Sequence, residues 1–108
     1  MENPETLELV NMLISEGTIE ILKFLEDGGL RQFGDVRNLI NPRTNKAFSQ
    51  TTLSNRLREL VKCGILEQQI LAREKGRSTI GYKITQNGLR TLEVARKFER
   101  ALEKVLKK

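Results

Sequence analysis

Leu7, Val10, Leu13 and Ile14 recur at three- and four-residue intervals, the spacing that lines up one face of an α-helix. Asn3-Pro4-Glu5 ahead of them reads as a helix start, since Asn caps free amides, Pro is tolerated at the first helical position and Glu complements the positive end. Ser15-Glu16-Gly17 ends the run. A second helix is predicted from Thr18, with Ile21, Leu22, Phe24 and Leu25 on its apolar face and Gly28-Gly29 as its stop. Leu30 reads as a strand of one or two residues, and Phe33, Val36, Leu39 and Ile40 as a short third helix. The turn-like segment Asn41 to Lys46 separates this helix from a fourth, which Ser49 or Thr51 caps, Gly64 closes, and Leu53, Leu57, Leu60 and Val61 turn toward the core. From Leu66 to Ile84 the rhythm becomes alternating. Leu66, Gln68 and Ile70 share one side of a strand, Ile80, Tyr82 and Ile84 one side of its partner, and Glu74-Lys75-Gly76-Arg77 supplies the turn. Thr85 caps a last helix from Gln86 to about Leu106, roughly 30 Å long at ~1.5 Å per residue.

The predicted class is mainly α with a small β-hairpin, in the order of a winged helix-turn-helix with a long C-terminal dimerisation helix. Residues 1–108 form a single domain in this reading, with 86–106 as the dimerisation helix. In that geometry one helix enters the major groove of duplex DNA while the hairpin reaches along the backbone or into a neighbouring groove.

Composition narrows the chemistry. The chain has no histidine and one cysteine, Cys63, which removes the commonest general base, the commonest zinc ligand and any internal disulfide. Neither a metal nor a cofactor is expected, and the protein is not expected to be an enzyme. Cys63 itself reads as a buried filler. The longest uncharged apolar stretch, Leu9 to Ser15, is far short of the roughly 20 residues a membrane span needs. Glu2, Glu5 and Glu8 are unlike the basic start of a signal peptide, so a cytoplasmic location is expected. Charge is unevenly placed: residues 1–30 hold one basic residue against seven acidic ones, and residues 31–108 hold 18 basic against seven acidic. A surface that faces a polyanion fits that split.

The candidate DNA-binding residues fall in two groups. If Leu53, Leu57 and Leu60 point inward, a 100° rotation per residue puts Thr51, Asn55, Arg58 and Lys62 on the opposite face, with Thr52 and Arg56 at its margins. Asn pairs bidentately with adenine, Arg with guanine, and Thr meets a polar edge or a thymine methyl. Ser49, Gln50, Thr51, Thr52, Asn55, Arg56 and Arg58 are therefore the recognition-helix candidates; Gln50, Thr51, Thr52 and Asn55 are favoured as base readers, and Arg56 and Arg58 are alternatively phosphate contacts. The second group, Arg73, Lys75, Arg77 and Ser78 around Gly76, places three cations in five positions at the hairpin tip, as phosphate contact requires.

The run Ser49 to Leu60, followed by Cys63-Gly64-Ile65-Leu66-Glu67, resembles the recognition helix and exit of the HxlR-like, MarR and PadR winged-helix repressors. Tyr82-Lys83-Ile84-Thr85-Gln86-Asn87-Gly88 resembles the segment that joins wing to last helix in the same groups. The match covers roughly residues 18–92 and implies a DNA-binding transcriptional regulator, in some members with a small-molecule effector, which no residue here specifies. Two features depart from it: no cysteine lies near the N-terminus, where HxlR-like proteins commonly carry one, and the segment Asn41 to Phe48 is longer than their usual turn. Arg43 and Lys46 within that segment are either added phosphate contacts or parts of a surface insertion.

Leu89 and Leu92 are expected to complete the domain core, but the apolar series continues through Val94, Ala95, Phe98, Ala101, Leu102, Val105 and Leu106. The expected interface of a homodimer is Val94, Phe98, Ala101, Leu102 and Val105, joined by Leu9, Met12 and Leu13 of the first helix, with double-stranded DNA as the other partner. The alternative from a different class is a protein-interaction module in a transcription or replication assembly, docking through the acidic first 30 residues. RNA binding is disfavoured by the scarcity of aromatic stacking platforms, and nuclease activity by the scattering of carboxylates.

Overall fold

The computed structural model describes residues 3–107, so residues 1, 2 and 108 of the expected domain lie outside the described residues. Five helices and five strands follow one another: α1 Pro4–Leu13, α2 Thr18–Phe24, β1 Arg31–Gln32, α3 Phe33–Val36, β2 Ile40–Asn41, β3 Lys46–Ala47, α4 Gln50–Lys62, β4 Leu66–Glu74, β5 Arg77–Ile84 and α5 Gln86–Leu106. The side chain of Asn3 accepts from the Glu5 amide at 2.9 Å to start α1, and Gly17 turns the chain into α2 with φ 88°. Ile21, Leu22, Leu25, Val36, Leu53, Leu57, Leu60, Ile65, Leu66, Ile84 and Leu92 are buried together, so α2, α3, α4, the start of the hairpin and the first half of α5 share one core.

Strands β4 and β5 pair antiparallel from Leu66↔Ile84 to Glu74↔Arg77, and β1 joins the other edge of β5 through Arg31↔Tyr82 and Gln32↔Gly81. The hairpin is thus two strands of a three-stranded sheet. Lys75 and Gly76 form its tip with φ of 50° and 76°, the pair of positive values that a two-residue turn matching strand twist demands. A register shift between Ile70 and Ala72 leaves Leu71 as an extra residue, whose side chain packs over Gly81 beside Leu30.

Four expectations need correction. The third helix stops at Val36, and Ile40 pairs with Ala47 in a second, two-stranded hairpin. Its apolar residues had helical spacing by coincidence: Asn41 precedes Pro42, which bars helical geometry there, and Asn45 takes the left-handed conformation at φ 59°. Leu89 is 37% exposed rather than in the core. Met12 is buried against its own domain and is not free for a partner. Cys63 is only partly covered, at the lip of a groove between α1 and α4, where burial pushes its thiol pKa up and the Glu8 carboxylate adds to the shift.

Thr85 explains the joint between wing and last helix. Its hydroxyl accepts from the Gly88 amide at 3.0 Å, capping α5, and donates to the carbonyls of Gly64 and Ile65 at 2.7 and 2.9 Å. A Cβ on Gly88 would overlap the Ile65 carbonyl oxygen and lie 2.6 Å from Ile84 Cγ1, so only glycine lets α5 come this close to the sheet. Beyond Ala95 the helix leaves the core. There it is tied by ion pairs to α2 and the turn after it, Lys23 with Glu99 and Arg96 with Glu26.

Candidate nucleic-acid interface

Helix α4 owes its orientation to both ends. Ser49 accepts from the Thr52 amide at 3.0 Å and donates to the Thr52 hydroxyl at 2.8 Å, fixing the N-terminal turn. Gly64 ends the helix with φ 77°, and Leu53, Leu57 and Leu60 are buried at 1% exposure or less. What remains outward is polar: Gln50, Thr51, Arg58 and Lys62 are exposed, and Thr52, Ser54 and Asn55 half-buried. Arg58 donates to Asn55 Oδ1 at 3.3 Å, so these two side chains lie side by side with the Asn55 amide nitrogen left to donate.

Arg56 departs from its expected place. Its Nε donates to the Glu16 carbonyl at 2.9 Å and its Nη1 to both carboxylate oxygens of Glu59 at 2.8 Å, leaving the side chain 19% exposed. It ties α4 to the α1–α2 corner rather than standing at the margin of the outer face. Sequence spacing alone could not separate it from Arg58, because the acceptor at Glu16 is 40 residues away.

The wing carries Arg73, Lys75, Arg77 and Ser78, all exposed. Between α4, α3 and the wing runs an open groove of about 470 Å³ lined by Gln32, Phe33, Gly34, Ser54, Ser78, Thr79, Ile80 and Tyr82. The structure therefore brings Ser78 of the wing to the same groove as Ser54 of α4 and adds Gln32 and Thr79, residues the sequence did not single out. Hydroxyls and an amide around an open slot suit an anionic oxygen. Five ion pairs are formed among the described residues, and none involves Arg58, Lys62, Arg73, Lys75 or Arg77. Among the same residues no cluster of His, Cys, Asp or Glu has the makings of a metal site, and no helix is long and apolar enough to cross a membrane.

Along α5, Val94, Phe98, Leu102 and Val105 are 58%, 54%, 45% and 74% exposed, and Ala101 is exposed with them. At four- and seven-residue spacing they form one apolar stripe on the protruding half of the helix.

Neither a scan against protein-family models nor a comparison with curated proteins gives a match. Solved structures do. The reduced form of the transcriptional regulator YodB from B. subtilis superposes with a TM-score of 0.75 and 22% identity over 99% of this chain and 97% of its own. A PadR-family transcription regulator from Clostridium difficile gives 0.67 and 19% over 82% and 92%. A protein from Enterococcus faecalis assigned to the MarR family of regulators gives 0.68 and 16% over 90% and 81%. At these identities the likeness establishes the fold, a winged helix-turn-helix with an added C-terminal helix, in which α3 and α4 are the helix-turn-helix and β4–β5 the wing.

Proposed function

We propose that this protein binds double-stranded DNA sequence-specifically as a homodimeric transcriptional regulator, a repressor by occupancy of its site, with α4 in the major groove and the β4–β5 tip on the backbone. The single observation that carries this is that Ser54 of α4 and Ser78 of the wing line one open groove, while Arg58 and Lys62 of α4 and Arg73, Lys75 and Arg77 of the wing are exposed and form none of the ion pairs found among the described residues. Gln50, Thr51, Thr52 and Asn55 read base edges, Arg58 reads a base or holds a phosphate, and Arg73, Lys75, Arg77 and Ser78 hold phosphates. Ser49 and Arg56 serve the reading indirectly, by capping α4 and by fixing it to the α1–α2 corner.

The dimer follows from the α5 stripe. Apolar residues in a row on a solvent-exposed helix are stabilised by a second copy of the same helix, and in this reading the exposed Leu7 and Leu9 of α1 join the same interface. Two recognition helices then meet successive major grooves of a pseudo-palindrome, about 34 Å apart.

Charge reversal at the wing separates this reading from a protein-interaction module. R73E/K75E/R77E in the full chain is expected to lower affinity for a random-sequence duplex by at least about 100-fold with no change in the thermal melt. Unchanged duplex binding would overturn the assignment and direct the search to a protein partner.

A further inference from the structure

The segment between α3 and α4 is longer than a helix-turn-helix needs, and its geometry shows how much. The Phe48 amide donates to the Leu39 carbonyl at 3.2 Å, so the chain is already positioned for α4 where it leaves α3. Residues 40–47 are an excursion whose two ends meet. They contribute almost nothing to the core: of these eight only Asn41 is buried, and everything from Pro42 to Ala47 is exposed.

The excursion is nevertheless built rigidly. Ile40 pairs with Ala47 and Asn41 with Lys46. The Asn41 carbonyl accepts from the Asn45 amide at 2.8 Å, its side-chain oxygen from the Arg43 amide at 3.0 Å, and its side-chain nitrogen donates to Glu16 at 2.9 Å. Phe48, 5% exposed, packs against Gly17 at the base. Glu16 thus holds both the neck of this hairpin through its carboxylate and α4 through its carbonyl to Arg56. The small hairpin and the recognition helix are thus anchored to the same α1–α2 corner.

The charge of the small hairpin has one sign: residues 40–47 hold Arg43 and Lys46 and no acidic residue. Arg43 and Lys46 form none of the ion pairs found among the described residues, although Glu20 lines the same shallow groove as Arg43. Lys46 stands three residues before the N-cap of α4, about 10 Å of extended chain from the end that carries Gln50 and Thr51.

We infer that the β2–β3 hairpin is a second wing, which grips the DNA phosphate backbone through Arg43 and Lys46 beside the N-terminal end of α4. The inference rests on the DNA-binding reading above. A rigid cationic projection fixed beside the end of the reading helix lengthens the footprint of each protomer, and each phosphate it neutralises adds about 0.9 to the slope of log affinity against log salt.

The test compares the wild-type chain, R43Q/K46Q and R73Q/K75Q/R77Q for binding to a random-sequence duplex at several salt concentrations. Both small-hairpin side chains are exposed, so R43Q/K46Q is expected to melt like wild type. It should show a salt slope shallower by about 2 and affinity reduced on the order of 10- to 100-fold at low salt. If wild type binds, the β4–β5 variant loses binding and R43Q/K46Q matches wild type in slope and affinity, the second wing is refuted and the DNA-binding reading stands. If wild type itself fails to bind duplex at low salt, both fall together.

Discussion

Arg56 and Arg58 are two residues apart on one helix and do different work. Arg56 is held by the Glu16 carbonyl and the Glu59 carboxylate, whereas Arg58 is exposed with only Asn55 beside it. R56A is therefore expected to lower stability by about 1–2 kcal/mol, because a partly buried charge-assisted network is lost, whereas R58A leaves the melt unchanged and weakens duplex binding. Urea denaturation of the two variants beside a binding titration checks the contrast; equal stability of both would show that the Arg56 network does no structural work. Glu26 supplies the pH dependence at this scale. The hydrogen bonds from Arg96 hold its carboxyl below the usual carboxylate range, so the pair's contribution is complete above the unfolded value of about 4.3 and is lost as pH falls through the folded one. E26Q is expected to melt slightly below wild type near neutral pH, with the gap closing as pH falls below the ordinary carboxylate range; a gap that persists in strong acid would contradict this. The effect is small, since both groups face solvent.

At the scale of elements, much was legible because single residues punctuate the chain. Asn3-Pro4 starts α1, Gly17 separates α1 from α2, Gly64 ends α4, Lys75-Gly76 turns the wing and Thr85 starts α5, all at the places their chemistry implies. The second hairpin was illegible since its strands are two residues long and pair through backbone groups, which leaves no alternation to read. The strand β1 was anticipated only as an isolated residue or two, because its partner β5 lies some 50 positions on. The joint at Gly88 was visible as a motif, but its cause, contact with the Ile65 carbonyl, is tertiary. G88A is expected to cost about 1–3 kcal/mol, or a melt lower by roughly 4–8 °C per kcal/mol, as α5 is pushed off the sheet. A melt within a degree of wild type would mean that this junction is loose.

The whole molecule is longer than its chain length requires. Its radius of gyration is 15.0 Å and its extents are 58 × 34 × 24 Å, against about 13 Å expected for a compact domain of this size. Two elements run outward from the core, the wing beyond Leu66 and α5 beyond Ala95, and α5 carries an exposed apolar stripe. F98E/L102E is accordingly expected to sediment as a monomer where wild type sediments as a dimer at tens of micromolar, and a monomeric wild type would remove the dimer from the proposal. The candidate site was legible in part at this scale too. The outer face of α4 and the wing tip could be read from spacing and charge, but the groove that brings Ser54 together with Ser78, Gln32 and Thr79 exists only once three separated segments pack. The central claim, that these surfaces bind duplex DNA, is tested most directly by titrating wild-type protein into random-sequence duplex, and separately into single-stranded DNA, at two salt concentrations, followed by fluorescence anisotropy. Micromolar duplex binding that weakens steeply with salt, as neutralisation of about six or more phosphates demands, is the predicted result. Absence of duplex binding even at low salt would contradict it.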